Sequence, residues 1–156
     1  QGISLNVDLS IGIINLFISI VVLFLWIFLN QKPGIGTILN ALIIALMIDI
    51  CIKFVPTPEN YILQLMLAIV AVLTVGLGGG IYLVANLGPG PRDGLMIGLQ
   101  KKTNLPIAGV RAFLEITVVS IGWYLGGTVG LGTFFFAFGI GPAVALVLFI
   151  VGKIFN

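Results

Sequence analysis

Arg111 and Glu115 stand four residues apart inside an otherwise apolar stretch, 107–126. On a helix that spacing puts both side chains on one face. At membrane depth a charged side chain costs about 2.5–3.5 kcal/mol on insertion scales, so such residues turn towards a bundle interior or a wet cavity. Two chemistries are open to them. The pair neutralises itself while Arg111 reaches for the interface, or Arg111 holds an anionic group of a substrate while Glu115 takes a proton or pairs with a cation.

Arg92 and Asp93 lie in "GPGPRDG", residues 88–94, between two apolar stretches. Asp93 is expected to cap a short helix starting near Leu95, because a carboxylate satisfies free backbone N–H groups at the positive helix end. Arg92 is then left to meet lipid phosphates. Alternatively, amides of Gly88, Gly90 and Gly94 approach a ligand and form an anion or carboxylate site with Arg92. Asp49 and Lys53 make a third four-residue pair, acid first. Lys53 sits at a span end, whereas Asp49 lies deeper and is a candidate cation or proton group.

Other chemistry is poorly supplied. The chain has no His and one cysteine, Cys51, which removes the commonest metal ligand and proton shuttle and any intrachain disulfide. No nucleophile and base can be paired, so neither an enzyme, a metal site nor a cofactor is expected. "GLGGG" (76–80) lies in an apolar stretch without strand–helix–strand context and is not a nucleotide loop. The net charge of +2 makes nucleic acid an unlikely partner.

The elements that must position these groups are transmembrane helices. Mean hydropathy is +1.27 and 8% of residues are charged, against roughly a quarter in soluble domains. A helical span takes about 20 apolar residues, and the expected spans are 10–30, 37–55, 59–87, 107–126 and 134–155. Thr57, Pro58 and Glu59 read as the start of the span 59–87, and Asn104 before Pro106 as that of the span 107–126. The segment 95–102 is too short to cross, so it is a half-helix entering from one face or a helix in the interface. Gly76 with Gly80 and Gly94 with Gly98 have the spacing that lets helix backbones approach. Asn15, Asn40, Gln64 and Asn86 offer hydrogen bonds between helices. Trp26, Trp123 and Tyr124 read as interfacial anchors and Phe134, Phe135 and Phe136 as lipid-facing or core-filling.

Counting basic residues at span ends places Lys32, Arg92, Lys101, Lys102 and Lys153 on one side and Lys53 on the other. The first side is expected to be cytoplasmic, with the C-terminus inside. No signal-peptide pattern and no initiator Met opens the chain, which is therefore expected to begin inside a longer protein.

The chain also repeats itself. "GIGT" (34–37) recurs as "GLGT" (130–133), each followed four residues later by Ala, Ala41 and Ala137. Upstream, Gly12, Val21, Val22 and Trp26 match Gly109, Val118, Val119 and Trp123. The ordered series points to duplication. With the first turn on the cytoplasmic face and the second outside, the repeats are inverted, as in many transporters. The expected fold is an all-α polytopic membrane protein of about five spans and one half-helix. A truncated first repeat covers 1–58 and a complete second repeat 59–156, with breaks at Gly34, Gly36, Gly88, Gly90, Gly94, Gly130 and Gly132.

In "KPGIGTILNALIIALMID" (32–49), "GLGGGIYLVANLGPGPRDGLMIGL" (76–99), "GVRAFLEI" (109–116) and "GWYLGGTVGLGT" (122–133) the sequence resembles the YczE/YyaS/YitT family of bacterial integral membrane proteins, nearest its YczE branch. The resemblance implies a multi-spanning protein of the bacterial inner membrane. It also implies a further first span and a Pro-Trp-Asp loop, the counterpart of Pro91, Arg92 and Asp93, neither of which this sequence contains. The expected partners are the lipid bilayer, a small solute or ion and a second copy of the chain. The expected function is movement of that solute or ion. The alternative is a scaffold that regulates a protein partner through Lys101, Lys102 and the cytoplasmic loops.

Overall fold

A computed structural model describes the backbone of residues 1–56 and 58–155, and their side chains except those of 107, 108, 148, 151, 152, 154 and 155. The described residues contain no strand. After a short 3-10 turn (Ser4–Asn6) come α1 (Ile11–Phe28), α2 (Ile35–Phe54), α3 (Tyr61–Val84), α4 (Pro91–Thr103), α5 (Ile107–Tyr124) and α6 (Leu131–Phe155). Among the described residues α1, α2 and α3 are long and apolar enough to cross a membrane, with mean hydropathies of 2.8, 2.4 and 2.3. The helices α5 and α6 fill the two remaining apolar stretches.

Local chemistry sets the helix ends. The Ser10 hydroxyl accepts the Ile13 N–H at the start of α1 (3.2 Å), and the Asn60 side chain accepts that of Ile62 at the start of α3 (2.9 Å). The third helix thus starts at Tyr61 with Asn60 as its cap, not at Pro58; Thr57 lies outside the described residues. Asn104 ends α4 in the left-handed conformation (φ 57°) and Pro106 precedes α5, so Asn104 closes one helix instead of opening the next. The fourth helix begins four residues before the expected Leu95. Pro91 takes its first position, where a missing N–H costs nothing, and Asp93 lies in its first turn.

Contacts divide the chain into two compact units. The first, Gln1–Pro56 with Leu87–Thr128, holds α1, α2, α4 and α5. Antiparallel α1 and α2 meet where Gly12 lies so close to α2 that a Cβ would strike the Ala45 carbonyl. Along α1 and α4 the contacts advance together: Gly94 faces Trp26, and Gly98 faces Leu29. These two helices therefore run the same way. The short connection 104–106 then turns the chain, and α5 runs back. Its far end meets the N-terminal segment, where Asn6 Nδ2 donates to the Leu125 carbonyl (2.9 Å) and the Thr128 hydroxyl to Gln1 Oε1 (2.9 Å). The connections after α1 and after α5 thus lie at opposite ends of this unit.

The second unit, Thr57–Asn86 with Val129–Asn156, is the α3/α6 pair. Gly139 meets Val72, Gly76 meets Ala143, and Gly80 meets Val147. Both series step by four residues in the same direction, so the two helices are parallel and pack through small residues, as the Gly76/Gly80 spacing implied. Pro142 stands within α6.

Candidate functional site

The site grows out of the break between α3 and α4, on the first unit. Leu87 accepts the Gly36 N–H through its carbonyl (2.9 Å). Thr37, fully buried, accepts the Gly34 N–H (3.1 Å) and donates to the Pro89 carbonyl (2.7 Å). One hydroxyl thereby caps α2 and ties down the loop. Gly88 completes the junction with φ of 112°, a conformation that disfavours a side chain. A Cβ there would stand 2.8 Å from Thr37 Oγ1.

The loop delivers α4 onto α1. Trp26, 1% exposed, donates its indole N–H to the Pro91 carbonyl (2.9 Å). Its ring fills the space where Gly94 has no side chain; a Cβ at 94 would collide with Trp26 Cζ2. Trp26 is therefore a buried bolt and not the interfacial anchor its place near a span end suggested. Trp123 and Tyr124, 70% and 90% exposed, keep the exposure an anchor needs.

At the start of α4, Arg92 forms an ion pair with Glu115 of α5. Glu115 is buried, whereas the Arg92 side chain is 48% exposed. The four-residue spacing put Arg111 beside Glu115 on α5, but the carboxylate takes its partner from the loop helix. Arg111 Nε is buried and has no hydrogen-bond partner. Ordinarily such a donor is paired, since leaving it unmet costs about 1–3 kcal/mol.

Depth follows from helix geometry. Glu115 lies eight residues into α5, about 12 Å from its start at 1.5 Å per residue, near the middle of an 18-residue helix. Because Arg92 pairs with it, the N-terminus of α4 lies level with the middle of α5, and the contacts of Pro91 with Trp26, in the last turn of α1, and of Pro89 with Thr37, in the first turn of α2, set it near the ends of those two helices.

Asp49 stands apart from this cluster. Its carboxylate accepts the Ser10 hydroxyl (2.6 Å) and the Gly12 N–H (2.8 Å), fastening the end of α2 to the start of α1. The expected helix-break glycines divide likewise. Gly34 and Gly90 are the residues preceding α2 and α4, Gly36 and Gly88 make the junction, and Gly94 receives Trp26. Gly130 donates its N–H to the Thr133 hydroxyl (3.4 Å), and a side chain at Gly132 would meet open space. Sequence reasoning missed Ser10, Thr37 and Trp26 as positioning residues. For Thr37 the signal was present in the Gly-x-Gly-Thr turn; for Trp26 it lay in the small residues Gly94 and Gly98, which a bulky neighbour must fill.

Helices of this hydropathy define a polytopic all-α membrane protein. The chain belongs to a family of unknown function, DUF6198, whose model matches residues 1–148. It is 39% identical over 154 residues to an uncharacterised protein of Haemophilus influenzae, covering 99% of this chain and 71% of that protein. It is 34% identical over 115 residues to the uncharacterised membrane protein YczE of Bacillus subtilis, covering 74% of this chain and 54% of the relative. The resemblance to the YczE branch is thereby established. No solved structure matches the chain.

Proposed function

We propose that the protein is a carrier for a small solute or ion, built on inverted repeats, with its site at Arg92, Arg111 and Glu115. The observation that carries this reading is the buried Arg111 Nε, without a hydrogen-bond partner, on the helix whose Glu115 pairs with the start of the short α4. Helices broken at a loop are how many carriers present backbone dipoles and charged side chains to a solute. Arg92 and Arg111 are balanced in number by Asp93 and Glu115, so the cluster itself has no charge excess. What it lacks is an acceptor for the Arg111 N–H, which a solute offering a carboxylate or carbonyl oxygen supplies. Glu115 then exchanges partners as Arg92 turns, and a proton or a cation takes the place of the guanidinium.

Helix boundaries support the duplication. The second pair lies 96 residues after the first at three boundaries: 11 and 107, 28 and 124, 35 and 131. At both junctions a glycine N–H donates to a threonine hydroxyl three residues on. The opposite directions of α1 and α5 in the first unit are what inversion requires. A bacterial inner membrane with the C-terminus in the cytoplasm fits the lysine distribution.

The test is reconstitution of the full chain in liposomes with a panel of labelled carboxylates, amino acids and inorganic ions. Saturable uptake lost in Arg111→Gln is expected. Absence of both flux and saturable binding across the panel overturns the reading.

A further inference from the structure

A second feature of the first unit lies at the other end of α4. The C-terminal ends of α1 and α4 enclose an open cavity of about 430 Å³, lined by Phe28, Leu29, Gln31, Gly98, Lys101 and Lys102 among others. Its wall forms because Gly98 has no side chain to hold Leu29 and Gln31 away. Among the described residues no carboxylate lines it. The two lysines sit in the last turn of α4, where cations complement the helix dipole, but that role needs neither a concavity nor the apolar residues opposite.

The geometry points to a binding site for the headgroup of an anionic phospholipid, with the phosphate between Lys101 and Lys102 and the first acyl methylenes along Phe28 and Leu29. Two observations favour a lipid over free phosphate. The end of α1, a helix of mean hydropathy 2.8, sets this cavity at the boundary of the hydrocarbon. Phe28 is 73% exposed beside the lysines, which gives an acyl chain a surface that an inorganic ion does not use. Gln31, half-buried, adds an amide whose Nε2 makes only a long bond of 3.3 Å to the Leu29 carbonyl. Cavities of about 300–1,000 Å³ hold small ligands, and basic pockets between spans at an interface take anionic headgroups. The site is independent of whether the protein transports anything.

The test is native mass spectrometry of the purified full chain titrated with dioleoyl phosphatidylglycerol or dioleoyl phosphatidylcholine. Retention of phosphatidylglycerol is expected to exceed that of phosphatidylcholine and to fall about 25-fold in K101Q/K102Q, or about five-fold for each lysine near an anionic surface. K101R/K102R retains binding, and K53Q, at the far end of α2, leaves it unchanged. If the double variant does not fold, the single variants K101Q and K102Q carry the same reading. Equal retention of the two lipids, or unchanged retention in the Gln variants, overturns the site. Displacement of the lipid by inorganic phosphate at equal concentration overturns the assignment to lipid and leaves a free-anion site.

Discussion

Neutralising either partner of the Arg92–Glu115 pair tests whether the start of α4 faces water. The two partners differ: Glu115 is buried with a side chain 10% exposed, and Arg92 is 48% exposed. Arg92→Met strands a buried carboxylate. Breaking a fully buried pair costs about 3–5 kcal/mol, and Arg111, on the same face of α5, partly replaces the lost partner, so we expect about 2–3 kcal/mol. Glu115→Gln leaves the guanidinium able to turn outward, and if it turns into a wet cavity the cost is below about 1 kcal/mol. If the exposed half of Arg92 met hydrocarbon, the order would reverse, because an unpaired arginine in hydrocarbon is the costlier group. Unfolding of the purified protein by SDS titration, with R92M, E115Q and the double variant forming a cycle, measures both the order and the coupling. A coupling of at least about 1 kcal/mol is expected for groups in contact. An E115Q variant as destabilised as R92M, or a coupling near zero, refutes the reasoning.

Three further substitutions probe the framework that holds the site. Gly94→Val drives methyl groups into the Trp26 ring and is expected to destabilise by at least about 1–3 kcal/mol, with part of the loss recovered in G94V/W26A; a wild-type melting temperature contradicts it. Thr37→Val removes the hydroxyl shared by Gly34 and Pro89 and costs about 1–3 kcal/mol, while Thr37→Ser keeps most of the stability in the same SDS titration. Asp49→Ala frees Ser10 and the Gly12 N–H and is expected to lower stability in the same titration without changing solute affinity; a loss of binding in a folded D49A variant would return Asp49 to the site.

The spans were legible because hydropathy over 20 residues is a bulk property of the chain. Four-residue glycine spacing was legible for a related reason: Gly76/Gly80 and Gly94/Gly98 mark faces where another helix must come close, and each did. Partner choice was not. A rule about neighbours on one helix matches Glu115 to Arg111, but it is blind to Arg92, which the loop carries to the same depth. Trp26 misled for a similar reason, since its place near a span end is shared by anchors and its burial depends on the absent side chain at 94. The start of α4 was obscured by attention to Asp93 as a cap, although Pro91 is itself the better signal of a first helical position.

The carrier reading stands or falls on whether the first turn of α4 is reached by water from both faces of the membrane. Arg92→Cys in a Cys51→Ser background can be labelled in oriented vesicles with an impermeant cationic methanethiosulfonate applied to one face or the other. The account predicts reaction from either side, slowed by a transported solute. Reaction confined to one face whatever solute is present, or no reaction from either, contradicts it.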